Sequence, residues 1–368
     1  MLTKFAVTNF RGFPERIEWD LSNPNNYSYN ENAIKDGVIK NGIIYGPNGS
    51  GKTNFSLAIF DIENHLSQKW KKPDYYNNFI YAGNLHGSVD FEYTFKFDNQ
   101  IVNYLYSKNR AGSLIKERLD VDGKQVFSKE QDSFVIDSDM FSIDKGTRNN
   151  LKNNANNVSI INYLLSSYPL DKDNYLLKLQ RFVNNMLWFR NLDVREFIGF
   201  ETNVVDLDEY IITNKLLDDF SAFLTKVSGQ SFKLVEEQSS FKKQIICKID
   251  KTLIPFQLIA STGTKSLQLL YFWIRRIADD ASFVFIDEFD AFYHFRLSFE
   301  VCKYLFSLNS QVFTSSHNTY LMTNDLLRPD CNFILCDNKI KSLKDCTDKE
   351  LRFGHNIEKL FRGNAFHV

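Results

Sequence analysis

The chain has 368 residues, with 44 lysines and arginines against 45 aspartates and glutamates, for a formal net charge of −1. Hydrophobic residues make up 43% and charged ones 24%, which excludes wholesale disorder and provides for two or three ordinary domains, or one large domain with an insertion. A charge this balanced gives no global pull toward nucleic acid or a membrane surface. The five cysteines (Cys247, Cys302, Cys331, Cys336 and Cys346) form no CxxC pair, so free thiols in a reducing compartment are expected rather than a disulfide framework or a zinc site. No apolar run reaches the length of a membrane span, since Leu267 to Ile274 stops at Arg275-Arg276. The start, Met1-Leu-Thr-Lys-Phe, lacks the pattern of a signal peptide. The expectation is a cytoplasmic chain with no membrane partner.

From the N-terminus, Phe5 to Phe10 alternates as a strand does, and Arg11-Gly12-Phe13-Pro14 breaks it. Gly42 to Tyr45 predicts a short buried strand ending at Gly46. Phe55, Ala58, Ile59, Ile62 and Leu66 then recur at helical spacing on one face. Lys69, Lys71 and Lys72 form a small basic run, read as a solvated loop. Val89, Phe91, Tyr93, Phe95 and Phe97 alternate strictly with polar residues, predicting an antiparallel strand with one wet face. Val102, Tyr104 and Tyr106 continue the pattern, and Asp122-Gly123 reads as a hairpin turn.

The asparagine-rich stretch 149–157 predicts an exposed linker. Helices are expected over Leu176–Phe189 and Tyr210–Val227, then strands over Phe232–Val235 and Gln244–Ile249. The last third alternates helix and strand: Leu267–Ile277, Phe283–Ile286, Ala291–Leu308, Gln311–Thr314. That alternation predicts a mainly parallel α/β sheet. No heptad pattern persists long enough for a coiled-coil arm.

Four constellations carry chemistry. Gly46-Pro-Asn48-Gly49-Ser50-Gly51-Lys52-Thr53, followed by Asn54, matches the phosphate-binding loop in full, between an apolar strand and an amphipathic helix. Its glycines let backbone N–H groups turn around a phosphate, at the positive end of the helix that begins there. Lys52 is expected to reach the β- and γ-phosphates of ATP, and the Thr53 hydroxyl to hold Mg2+. The second is Phe283-Val-Phe-Ile-Asp287-Glu288, a buried strand delivering two acids to the carboxyl edge of a parallel sheet. Asp287 would contact Mg2+, directly or through water, and Glu288 would act as general base on the attacking water. Third is Ser261-Thr-Gly263-Thr-Lys265, whose Ser/Gly turn at a helix start could donate to a γ-phosphate, or serve as an ordinary N-cap. Fourth is Val312-Phe-Thr-Ser-Ser316-His317, a strand ending in a histidine suited to contact the γ-phosphate.

Taken in order, these motifs resemble the ATP-binding cassette plan of SMC-like ATPase heads, and Phe5 to Phe13 resembles their entry strand. A more specific resemblance is to OLD-type ABC ATPases and their abortive-infection relatives in anti-phage systems. It is carried by Tyr45 to Asn54, the Ser261 turn, Ile286-Asp-Glu-Phe-Asp290 with His294, Ser315-Ser-His-Asn318 and the ending Arg352 to Arg362. The fold this implies is an α/β, ABC/SMC-like P-loop ATPase head with an antiparallel β-lobe and a short helical insertion. The chain divides accordingly into 1–145 (first part of the head with the lobe), 146–229 (insertion) and 230–368 (remainder of the head).

The resemblance also implies a homodimer or higher homo-oligomer sandwiching ATP, with Ser261 and Gly263 of one copy facing the γ-phosphate held by Lys52 of the other. It places Arg11 near the nucleotide and Asp290 in a coupling loop between subunits. The glutamine that usually links Mg2+ to the rest of the head is unassigned, Asn78 and Asn84 lying in the right stretch. The 208 residues (53 to 260) between Lys52 and Ser261 read as a β-lobe and a short helical insertion, not as long arms. The 51 residues after His317 (318 to 368) are too few for the Toprim nuclease domain of OLD proteins, so an effector on a separate chain is expected. The leading functional expectation is an ATP-hydrolysing sensor in anti-phage, abortive-infection defence. The alternative is a DNA-repair ATPase of the RecF kind, with duplex DNA as partner.

Overall fold

The computed structural model describes residues 1–67, 77–130, 133–139, 141, 143–152, 158–190, 197–199, 206–238, 243–277 and 280–367. The strict alternation of Val89–Phe97 becomes the middle of a seven-stranded antiparallel sheet. From one edge to the other its strands are Ser133–Ile136, Lys124–Glu130, Leu114–Val121, Gln100–Lys108, Val89–Phe97, Leu2–Thr8 and Ile17–Asp20. Val89, Phe91, Tyr93, Phe95 and Phe97 are buried while the residues between them are half-exposed, as a sheet with one covered face requires. Asp122 and Gly123 both have positive φ (50° and 78°), the geometry of the expected two-residue hairpin turn.

A second seven-stranded sheet runs Phe197–Ile198, Met186–Arg190, Phe283–Asp287, Gln311–Ser316, Asn41–Tyr45, Asn332–Cys336, Lys339–Ser342. Its five inner strands are parallel and its two edge strands antiparallel. The strands that carry motifs are buried along their whole length, so residues 43–45 and 283–286 read as apolar runs, whereas Gln311–Ser316 buries four polar residues beside the site. Parallel pairing brings Arg190, Asp287, Ser316 and Tyr45 to the same edge, where ligands bind in sheets of this kind. A smaller sheet joins Leu234–Gln238, Lys243–Ile249 and Thr252–Pro255.

The two large sheets meet in an aromatic core. Trp19 packs edge-on against Phe55 of the helix Lys52–Ile59, Phe313 and Phe333, with ring centroids 5.7, 4.6 and 5.3 Å away. Buried Gln311 stitches the sheets together. Its amide accepts from the Leu2 N–H and donates to the Leu2 and Ile39 carbonyls. Tyr93 ties the lobe to the helix after the phosphate loop by donating to the Ala58 and Ile59 carbonyls.

Several elements differ from expectation. The helix expected over 176–189 is Tyr175–Asn184, and Met186–Arg190 leaves it as a strand pairing Leu187 with Val284 and Phe189 with Ile286. Residues 186–190, inside the stretch read as an insertion, are therefore part of the central sheet. The expected helix 210–227 is two, Leu207–Thr213 and Leu217–Ser228, interrupted where Lys215 takes φ 56°. Likewise Lys52–Ile59 and Asp61–Leu66 are separate helices broken at Phe60. The helix expected from Ala291 begins at Phe295. Asn149 belongs to the helix Lys145–Lys152 rather than to a linker, and 153–157 lie outside the described residues, as do Lys69, Lys71 and Lys72.

Candidate functional site

Everything at the site follows from the turn between Asn41–Tyr45 and Lys52–Ile59. The turn folds back sharply because Gly51 takes φ 97°, and a Cβ there would lie 2.8 Å from the Phe13 ring. Gly46 is equally constrained, since a Cβ would come 2.4 Å from the Leu335 carbonyl oxygen and 2.6 Å from Ser50 Oγ. Ser50 Oγ is shielded from solvent and, among the described residues, has no hydrogen-bond partner. An orphaned polar atom in this turn, at the start of a helix, suits a bound phosphate. Lys52 closes over the loop, its Nζ donating to the carbonyls of Gly46 (2.8 Å) and Pro47 (3.1 Å). Burial lowers its pKa, and the nearby Asp287 and Glu288 oppose that shift.

Asp287 ends the strand Phe283–Asp287, which Gln311–Ser316 separates from Asn41–Tyr45, and Glu288 follows it. Asp287 is fully buried, and its Oδ2 accepts from Thr53 Oγ1 at 2.7 Å, bridging residues 234 positions apart. Its Oδ1 accepts from Ser315 Oγ at 2.6 Å, and the same Ser315 oxygen accepts from the Glu288 N–H at 2.8 Å. Ser315, fully buried at the end of the next parallel strand, thus holds both acids. Glu288 itself takes φ 50°, a strained backbone for a residue with a Cβ, of the kind that concentrates at functional sites.

His317 is exposed at the end of Gln311–Ser316. Partial burial first, and then the Lys52 ammonium, lower its pKa below 6.5, while Glu288, Asp287 and a hydrogen bond to the Gly46 carbonyl act the other way. Asp290 turns toward its own chain, accepting from Ser316 Oγ at 2.7 Å, and burial raises its pKa. Arg11, with φ 47°, donates from Nη1 to Asn54 Oδ1 (3.2 Å), which joins the first turn of the chain to the start of the loop helix. Asn48 and Gly49 lie at the exposed rim, and a Cβ on Gly49 would meet nothing within 4 Å.

Ser261 and Gly263 stand apart from this cluster. Ser261 Oγ accepts from the Thr264 N–H (3.2 Å), capping the helix Thr262–Ile277. A Cβ on Gly263 would lie 2.9 Å from the Phe292 carbonyl. Both residues line a cleft of about 410 Å3 with Phe292, His294 and Leu297, and its described walls include no residue of 46–54. Within one chain the structure brings together the loop, Thr53, Asp287, Glu288 and His317, while the Ser261 turn packs against Phe292.

Sequence reasoning missed one residue at the centre of the site. Arg190 ends Met186–Arg190 opposite Asp287 in parallel register. Its Nε and Nη2 donate to Asp287 Oδ2 at 3.3 and 3.1 Å, and Nη2 also reaches Thr53 Oγ1 at 3.3 Å. Its Nε lies 4.0 Å from Glu288 Oε2. Asn78 and Asn84 are elsewhere, in the segment that pairs with the first turn of the chain: the Asn84 carbonyl accepts from Asn9 Nδ2, and the Phe79 carbonyl from the Arg11 N–H.

Magnesium in nucleotide sites takes one or two protein oxygens, with phosphate and water oxygens completing its six ligands. Thr53 Oγ1 and Asp287 Oδ2, hard oxygens side by side next to the phosphate loop, fit that donor set. No group of three or more His, Cys, Asp or Glu among the described residues could hold a metal by itself. No described helix is long and apolar enough to cross a membrane.

Among solved structures the chain is similar to the SMC head domain from Thermotoga maritima (14% identity, 93% of this chain and 98% of that one, TM-score 0.44). It is also similar to an Smc head bound to the C-winged helix domain of ScpA (17%, 94% and 98%, TM-score 0.47). A third is the Smc head with an extended coiled coil bound to the C-terminal domain of ScpA, from Pyrococcus furiosus (13%, 94% and 97%, TM-score 0.42). No curated protein matches the sequence. The fold is the α/β P-loop ATPase class expected from the sequence, with its antiparallel lobe. A family model matches residues 43–323, well over half of the chain and spanning every motif from the phosphate loop to His317, and the chain belongs to that family, described as "AAA domain, putative AbiEii toxin, Type IV TA system".

Proposed function

We propose that the protein binds ATP with Mg2+ at residues 46–54 and hydrolyses it to ADP and phosphate, using a site completed by the Ser261 turn of a second copy. The observation that carries this reading is the 2.7 Å hydrogen bond from Thr53 Oγ1 to Asp287 Oδ2, which sets two magnesium-type oxygens beside a loop shaped for phosphate. Backbone N–H groups of 49–53 hold the phosphates, and Lys52 turns its Nζ from the Gly46 and Pro47 carbonyls onto them. Thr53 and Asp287 would hold the magnesium ion, which would supply charge neutralisation for the transferring phosphoryl group. Glu288, aimed by its strained backbone and by Ser315, accepts the proton of the attacking water. His317 faces the same space from the next strand.

At the level of biology, the protein acts as an ATP-driven sensor or regulator of a separate effector chain in anti-phage, abortive-infection defence, within the OLD-type group of ABC ATPases. Support comes from the sequence resemblance and from a family whose description names a toxin and a type IV TA system. Dimers form head-to-tail, so that the Ser261–Gly263 turn, with exposed Phe292 and Phe295 beside it, meets the γ-phosphate of the facing copy. Glu288→Gln tests the chemistry: it is expected to keep ATP binding, slow hydrolysis by at least about a hundredfold, and accumulate dimer. Lys52→Ala is expected to lose ATP binding itself. Hydrolysis at the normal rate in Glu288→Gln removes that residue as the base.

A further inference from the structure

The two oxygens that suit a metal are already occupied by a cation of the chain itself. Asp287 Oδ2 receives three donors: Thr53 Oγ1, Arg190 Nε and Arg190 Nη2. Thr53 gives its hydroxyl proton to Asp287, which leaves the Oγ1 lone pairs as its only means of ligating a metal. Arg190 Nη2 lies on that oxygen at 3.3 Å. The guanidinium therefore competes for both candidate ligands at once. Asp287 is fully buried, and without a counter-cation its charge would be costly there, which explains why an arginine rather than an apolar residue ends this strand.

We propose that Arg190 is a place-holder for the metal: it neutralises Asp287 and blocks Thr53 while the site is empty, and it must leave both as Mg2+ enters with nucleotide. This rests on the reading of Thr53 and Asp287 as metal ligands. A guanidinium and a divalent ion cannot share the same oxygens, because at such distances in a partly buried site their repulsion far exceeds thermal energy. The backbone of Arg190 is fixed by register to Asp287, so the move is a side-chain rotation. Room for that rotation exists, since the Arg190 side chain keeps 23% of its surface exposed. Metal entry thereby frees Asp287 and Thr53 of the guanidinium. Arg190 is a positioning residue, acting through Thr53 and Asp287.

The test measures Mn2+ binding by electron paramagnetic resonance on the full chain without nucleotide, alongside melting temperature with and without Mn2+. Wild type is expected to bind Mn2+ weakly and to melt at the same temperature with or without it. R190Q, which removes the competitor, is expected to bind Mn2+ about tenfold or more tighter, the scale of one or two charge-assisted hydrogen bonds. Without metal it should melt below wild type, and Mn2+ should restore it. R190K keeps a charge but not the two-pronged fork, so its affinity should fall between the other two. If R190Q does not fold, R190K alone decides, and Mn2+ binding no tighter than wild type overturns the proposal. Mn2+ binding by R190Q equal to or weaker than wild type overturns it as well. The readout uses no nucleotide, so it stays informative if the protein proves not to hydrolyse ATP. Absence of Mg·ATP binding by wild type would count against the nucleotide reading alone.

Discussion

Ser315→Ala isolates the element that couples the two acids. Ser315 Oγ donates 2.6 Å to Asp287 Oδ1 and accepts 2.8 Å from the Glu288 N–H, in a fully buried setting. Alanine deletes a hydrogen bond to a charged group, contributing about 1.5–3 kcal/mol, and an ordinary one contributing about 1 kcal/mol. No water can replace either without new space, so the expected loss of stability is about 2–4 kcal/mol. Glu288 is also held at φ 50°, a backbone costing on the order of 1–3 kcal/mol that persists only while its neighbours enforce it. Freed from Ser315, Glu288 relaxes out of position. The rate of hydrolysis should fall about tenfold or more, since about 1.4 kcal/mol in a barrier is a factor of ten. ATP affinity should change little, because the Ser315 hydroxyl bonds to Asp287 and Glu288 and not to the phosphate loop or Lys52. Urea unfolding, fluorescent-nucleotide binding and single-turnover hydrolysis read the three quantities separately. A variant within about 0.5 kcal/mol of wild type and hydrolysing at the normal rate would show that Ser315 does not hold the two acids.

Other perturbations have equally definite outcomes. Lys108 Nζ lies 2.6 Å from Asp61 Oδ2 with both side chains almost wholly buried, so Lys108→Met strands a carboxylate and should cost about 3–5 kcal/mol, while adding Asp61→Leu recovers most of it. Unfolding free energies check this, and a single-variant loss below about 1 kcal/mol would contradict it. For His317, the folded-state pKa lies below 6.5, so protonation favours the unfolded chain. Stability attributable to the group is full above about pH 6.5 and falls as pH drops through the folded value. A bound triphosphate would set negative charge beside His317 and raise its pKa, so near pH 6 wild type should take up more protons on binding ATP than His317→Asn does. Calorimetry in buffers of different ionisation enthalpy measures that difference, and equal uptake by the two proteins would contradict it.

The β-lobe was legible because one of its faces is wet: the alternation of Val89 to Phe97 is the alternation of burial itself. The phosphate loop was legible because backbone geometry dictates its residues, as at Gly51, where both φ and the Phe13 ring forbid a side chain. Met186–Arg190 was not, because a strand buried on both faces has no alternation, and Val183 and Leu187 happen to continue the spacing of the preceding helix. Asn332–Cys336 escaped for the same reason. Missing that first strand hid Arg190, whose partner Asp287 is 97 residues away and adjacent only through parallel pairing. One signal was present: an arginine closing an otherwise apolar run. The breaks at Phe60 and Lys215 depend on single backbone angles that periodicity does not encode.

The most direct test of the whole account is a structure determined with Mg2+ and a non-hydrolysable ATP analogue. The account predicts two copies in each particle, with the triphosphate wrapped by residues 46–53 of one and touched by the Ser261–Gly263 turn of the other. A nucleotide bound anywhere else, or a filled loop whose γ-phosphate meets only its own chain and solvent, would contradict it.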